Sequence, residues 1–164
     1  MPKIAFHTFG CKLNYAETSH IAEKFKLKGY TVVEDEEIAD IYIINSCTVT
    51  KDAEKDCRQK IRHYLRKNSN AFIGVMGCYA QIRPEEIAAI DGVDIIVGND
   101  AKYDLPNLIT TTNKSGFPII LNKPTDELNN FGIAYSADED DRTRAFLKVQ
   151  DGCDYTCSYC TIPL

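Results

Sequence analysis

Seven cysteines in 164 residues are where this sequence concentrates its chemistry. Three of them, Cys153, Cys157 and Cys160, share the run DGCDYTCSYC. A loop that short can supply thiolates to three irons around one edge of a [4Fe–4S] cube, and with no fourth cysteine close by, one iron stays open to a small ligand. A zinc ion completed by a distant histidine or cysteine is the competing metal reading. Three further cysteines, Cys11, Cys47 and Cys78, stand in FGC, NSC and MGC, each directly after an apolar run. None of the three belongs to a Cys-x-x-Cys pair, so a zinc knuckle is not indicated.

The elements that must position these residues alternate between two periods. KIAFHTF (3–9), YTVV (30–33), IYIIN (41–45), AFIGVMG (71–77) and VDIIVG (93–98) read as strands, the third and fourth apolar enough to be covered on both faces. Between them, AETSHIAEKFKLKG (16–29) spaces Ile21, Ala22, Phe25 and Leu27 as a helix face, with Gly29 as its C-cap. A second helix aligns Ala53, Cys57, Ile61, Tyr64 and Leu65, so Cys57 reads as core. PEEIAAI (84–90) opens a third, and AKYDLPNLI (101–109) is a short helix interrupted by Pro106. Strand and helix in alternation predict an α/β fold: a doubly wound, flavodoxin-like parallel sheet of five strands in the order 2-1-3-4-5, helices on both faces. Residues 1–110 form this domain. Residues 111–143, rich in Gly, Pro, Asn and acidic side chains, read as a linker with strand character in FPIILN. AFLKVQ (145–150) alternates like a strand that opens a new unit at 144–164.

In a parallel sheet the C-terminal strand ends share one edge, where ligands bind. Cys11, Cys47 and Cys78 follow the first, third and fourth strands, so the topology brings them to one crevice. Thiolates there, among small neighbours and helix N-termini, suit an iron–sulfur cluster with an open iron. The plainer alternative is three small hydrophobes in a core. Asn14 and Asn45 flank these cysteines and suit either hydrogen bonding to a cluster or loop fastening.

Composition narrows the remaining classes. An odd cysteine count without an export signal argues against structural disulfides and for a cytoplasmic, metal-binding or thiol-active protein. No apolar run is long enough for a transmembrane helix, so no membrane association is expected. The net charge is −5, yet residues 55–67 carry six Lys or Arg plus His63, which suits a solvated helix face or RNA contact. A flavin site is disfavoured, because FGCKLNYAE lacks a hydroxyl-rich phosphate loop.

The Cys-x₃-Cys-x₂-Cys spacing, with Tyr159 before its last cysteine, resembles the radical S-adenosylmethionine signature. The upstream portion is similar to the N-terminal domain of the methylthiotransferase family, through TFGCKLNYAETS (8–19), NSCTVT (45–50), GCYAQ (77–81), VGN (97–99) and RTRAFLKVQDGCDYTCSYCTIP (142–163). FGCKLN, with Lys12 and Leu13, looks most like the branch that modifies N⁶-threonylcarbamoyladenosine at tRNA position 37. The isopentenyladenosine and ribosomal-protein branches are the alternatives within the family. A non-catalytic iron–sulfur or zinc-binding flavodoxin-like module is the alternative outside it.

The resemblance implies two [4Fe–4S] clusters. Cys153, Cys157 and Cys160 would hold the one that binds S-adenosyl-L-methionine at its open iron and generates a 5′-deoxyadenosyl radical. Cys11, Cys47 and Cys78 would hold the other, whose open iron carries the sulfur destined for C2 of the adenine ring. tRNA is the implied substrate and a flavodoxin or ferredoxin the implied reductant. Residues 144–164 would begin a radical (β/α) barrel, of which AFLKVQ is the first strand. Most of that barrel and an RNA-binding domain would lie beyond this sequence, so a fragment inactive alone is expected.

Overall fold

A computed structural model describes residues 1–48, 51–124, 127, 132–136, 146–150, 153, 155, 157 and 158. Its elements begin with β1 (Lys3–Thr8), α1 (Lys12–Leu27), β2 (Thr31–Val33), β3 (Ile41–Ser46) and α2 (Lys51–Lys67). They continue with β4 (Phe72–Gly77), α3 (Cys78–Ile82), α4 (Pro84–Ala88), β5 (Ile95–Val97), a 3₁₀ turn at Lys102–Asp104 and α5 (Leu105–Leu108). β6 (Ile119–Leu121), β7 (Tyr135–Ser136) and β8 (Phe146–Leu147) complete the described chain.

The main sheet is parallel throughout, in the order β2-β1-β3-β4-β5-β6. The expected order 2-1-3-4-5 is therefore present, with one strand more than the five expected. The extra strand comes from FPIILN: β6 pairs with β5 through Ile95↔Ile119 and Val97↔Leu121. The strand character read in FPIILN is thus present, and pairing with the β5 edge is what adds it to the main sheet. Strand order reverses between β1 and β3, the crossover at which doubly wound sheets bind ligands.

β3 and β4 are buried along their whole length, as strands covered on both faces must be. Their alternating side chains feed two cores. Tyr42, Ile44, Ile73 and Val75 face α2, which contributes Cys57, Ile61 and Tyr64. Ile41, Ile43, Phe72 and Met76 face α1, which contributes Ile21 and Phe25. On the α2 side the rings of Tyr42 and Tyr64 stack at 4.0 Å and 12°. On the α1 side Gly74 lies where a Cβ would come within 2.6 Å of Ile43 Cδ1, so the Ile43 side chain packs over bare backbone.

Leu27, expected on the α1 core face, is instead exposed. It lies about 200° round the helix from the buried Phe25, on the side away from the sheet. Asn14, Glu17 and Thr18 occupy buried positions on this helix that its apolar pattern did not claim. Gly29 does end the helix, with φ +86° and its N–H on Lys26 O at 2.9 Å.

β8 is shorter than the run AFLKVQ suggests and pairs antiparallel with β7 (Tyr135↔Leu147, Ser136↔Phe146). This small sheet lies against α1: the Tyr135 and His20 rings meet at 5.2 Å, and the Lys12 ammonium lies 5.7 Å from the Phe146 ring centroid. Among the described residues, no helix is long and apolar enough to cross a membrane.

Candidate metal centre

Strand register delivers the three upstream cysteines to one edge. Thr8 pairs with Asn45, Asn45 with Met76, and Ser46 with Gly77. Cys47 and Cys78 thus leave the sheet from adjacent strands, directly after a paired row. Cys11 sits three residues past Thr8, as the N-cap of α1. It is exposed, Cys47 is buried and Cys78 is half-buried.

Two glycines let the loops close. A Cβ on Gly10 would lie 2.9 Å from Cys47 Cβ and 3.1 Å from its Sγ, so the FGC backbone rests against the Cys47 thiol. Gly77 adopts φ +95°, and a Cβ there would collide with Asn45 Oδ1 at 2.3 Å and Ser46 O at 2.5 Å. Ser46 Oγ donates to Met76 O at 2.5 Å and accepts from Ala80 N–H at 3.3 Å, tying the β3 end to the β4 end.

The asparagines act as loop fasteners. Asn14 Nδ2 donates to Phe9 O at 2.8 Å and Ser46 O at 3.4 Å, and Cys11 Sγ lies 3.7 Å from Asn14 Oδ1. Asn45 Nδ2 donates to Asn14 O at 2.9 Å and Thr18 Oγ1 at 3.2 Å. Both side chains therefore spend their N–H groups joining the first and third strand ends. Sequence placed them at the site but left that role open.

The electrostatics agree with convergence. Burial first, then the neighbouring Cys47, Glu17 and Cys11, push the Cys78 thiol up to about 11, while Lys102 opposes the shift. Thiolates crowded in this way need a counter-charge, which a metal centre supplies when it binds. Among the described residues, no three His, Cys, Asp or Glu side chains form a group that could hold a metal ion. Three thiols carried to one sheet edge would suit a [4Fe–4S] cluster, which takes one thiolate per iron.

Cys57 behaves differently. It is fully buried in the α2 core, and burial pushes its thiol up to about 12. Replacing Cys57 by Ala is expected to cost about 1–3 kcal/mol through lost packing alone. Chemical denaturation measures that loss, and iron content in the same samples should not change.

Of the second set, Cys153 and Cys157 are exposed, and Cys160 lies outside the described residues. The basic helix α2 spends part of its charge internally. Lys60 pairs with Asp35 at 2.9 Å, and Arg58 donates to Tyr79 Oη at 2.8 Å. Sequence reasoning missed Glu17, Lys102 and Lys148, which are buried together behind this edge. The available signal was Glu17 itself, four residues before Ile21 and hence on the same helix stripe.

The model of the group described as "Uncharacterized protein family UPF0004" matches residues 3–98. Threonylcarbamoyladenosine tRNA methylthiotransferase MtaB of Bacillus subtilis (strain 168) is 42% identical over 169 residues, covering 99% of this chain and 36% of the relative. Its namesake in Aquifex aeolicus (strain VF5) is 37% identical over 164 residues, covering 98% of this chain and 39% of the relative. A tRNA-2-methylthio-N(6)-dimethylallyladenosine synthase of Sphingopyxis alaskensis is 34% identical over 162 residues, covering 96% and 36%. The chain thus spans little more than a third of the length of the curated relatives it matches. With the α/β domain matched from β1 through β5, the chain belongs to the family described as UPF0004.

Proposed function

We propose that the chain is the cysteine-bearing portion of a tRNA methylthiotransferase that modifies C2 of N⁶-threonylcarbamoyladenosine at position 37. The observation that carries this reading is the arrival of Cys11, Cys47 and Cys78 at one edge of a parallel sheet. Three relatives bearing the threonylcarbamoyladenosine name, at 42%, 37% and 37% identity, support the branch against 29–34% for four dimethylallyladenosine relatives, with one further threonylcarbamoyladenosine relative at 33%.

In this reading Cys11, Cys47 and Cys78 hold one [4Fe–4S] cluster, and Cys153, Cys157 and Cys160 hold a second. When bound, the first centre supplies sulfur, and the second, with S-adenosyl-L-methionine, supplies a radical able to activate an aromatic C–H bond. The chain's own contribution is placement. Asn14 and Asn45 clamp the loops of Cys11 and Cys47, and Gly77 turns Cys78 out of β4. The half-buried Cys78 must lose its proton to ligate, so loading releases protons and strengthens as pH rises. A base in the anticodon loop must leave its stack to reach such a site. A flavodoxin or ferredoxin would deliver the electrons.

The deciding experiment is a nucleoside digest of tRNA from cells lacking the gene. The 2-methylthio mark on threonylcarbamoyladenosine should disappear and return on complementation. Persistence of that mark, with loss of the mark on isopentenyladenosine instead, would move the protein to the other tRNA branch.

A further inference from the structure

Behind the cysteine edge lies a buried charged group that the cluster chemistry does not use. Glu17 Oε1 receives the Lys102 ammonium at 2.7 Å, the Lys148 ammonium at 3.2 Å and the Tyr103 hydroxyl at 3.1 Å. Lys148 Nζ also lies 3.1 Å from Tyr103 Oη, and Lys102 Nζ donates to Asn99 Oδ1 at 3.1 Å. The three charged side chains are 2%, 3% and 0% exposed for Glu17, Lys102 and Lys148. Both ammonium groups also lie over the Tyr103 ring, at 5.4 and 5.3 Å from its centroid.

Three remote segments meet at this one carboxylate oxygen. Glu17 belongs to α1, the helix capped by Cys11. Lys102 and Tyr103 form the turn after β5. Lys148 directly follows β8, the strand that runs toward Cys153. Backbone contacts reinforce the junction: Lys148 N–H donates to Ala134 O at 2.8 Å, and Ala134 is fully buried. Gly132 packs so closely on Tyr103 that a Cβ there would lie 1.8 Å from Cε2.

We propose that Glu17 is a positioning residue: it locks the strand leading to Cys153 onto the helix that begins at Cys11. The lock limits the separation of the two cysteine sets. Cys153 lies five positions after Lys148. At about 3.3–3.6 Å per residue, the Cys153 backbone can lie no more than about 18 Å from the Lys148 backbone. Cys11 is held from the other side through about one and a half helical turns of α1. Glu17→Gln takes away the carboxylate that both buried ammonium groups share, and Lys148→Met removes the strand's own anchor to it, so each favours release of the strand. The functional meaning of the lock rests on the two-cluster reading; its existence does not.

Hydrogen exchange on the metal-free, thiol-reduced chain tests the lock directly. Glu17→Gln and Lys148→Met should each speed exchange of the Phe146–Gln150 peptide at least tenfold, leaving peptides from β3 and β4 within a factor of three. Glu17→Asp, which keeps the charge, should retain part of the protection. Unchanged exchange of Phe146–Gln150 in both Glu17→Gln and Lys148→Met overturns the proposal. Should Glu17→Gln loosen β3 and β4 as well, Lys148→Met decides, because its residue lies outside the main sheet; acceleration no greater at Phe146–Gln150 than in β3 and β4 then overturns it too.

A spectroscopic readout separates the lock from the cluster reading. In iron-loaded, reduced protein, Glu17→Gln should alter the line broadening from spin coupling between two clusters at unchanged iron content. If no iron binds at Cys11, Cys47 and Cys78, the cluster reading fails, while exchange still decides the lock.

Discussion

Replacing Cys11, Cys47 and Cys78 together by Ala is expected to halve the iron that the chain takes up on anaerobic reconstitution with iron and sulfide. Two [4Fe–4S] clusters correspond to about eight irons per chain, and loss of the upstream set leaves about four. The expectation follows from register: Ser46↔Gly77 places two of the thiols on adjacent strand ends, and Gly10 rests the third loop against Cys47. Alanine removes the ligating sulfur with little loss of volume, and only Cys47 is fully buried among the three, so the fold should survive. Far-UV circular dichroism checks that it does. Iron content unchanged by the triple replacement would refute the strand-end assignment. Tightly bound zinc without sulfide would refute the cluster altogether.

The second large effect is expected from Gly77→Ala. Its φ of +95° and ψ of −164° lie in a region populated almost only by glycine, which costs another residue about 1–3 kcal/mol. The added methyl would also collide with Asn45 Oδ1 at 2.3 Å and Ser46 O at 2.5 Å, in a fully buried strand end. Overpacking of that kind adds about 1–3 kcal/mol, for a combined loss of about 2–6 kcal/mol in chemical denaturation. Gly29→Ala is the control, since φ is also positive there but nothing lies within 4 Å of the new methyl. It should cost only about 1–2 kcal/mol. Equal losses for the two would mean that the β4 end relaxes freely. Because Cys78 is the next residue, the variant should also lose iron from the upstream set while keeping it in the second.

Much of this was legible in the residue pattern because period and composition agreed. IYIIN and AFIGVMG are too uniformly apolar to be anything but strands covered on both faces, and Cys57 at helical spacing from Ile61 and Tyr64 announces a core position. Once the strands were recognised, parallel topology alone grouped Cys11, Cys47 and Cys78. The strand character of FPIILN was legible, but its place in the main sheet was not, because pairing with β5 is a tertiary choice that local pattern does not encode. Leu27 misled because its apolar side chain suggests the face of Phe25, although it falls about 200° round the helix from it. The Glu17 group stayed hidden for a different reason. Its members are far apart in sequence, and lysines are ordinarily read as solvent-facing. Only Glu17 lay on an apolar stripe, and a single carboxylate gives no hint of two ammonium partners.

The parallel sheet has a consequence for how the two cysteine sets depend on the fold. Each upstream thiol is separated from the next by a complete strand–helix unit, so none is near another until long loops have been closed at the cost of chain entropy. In the two-cluster reading, the affinity of the upstream set for a cluster would therefore be part of the folding free energy. Cys153, Cys157 and Cys160 need no such closure, being neighbours along the backbone. Under that reading, unfolding the sheet would abolish the upstream site while leaving the downstream thiols as close along the chain as before.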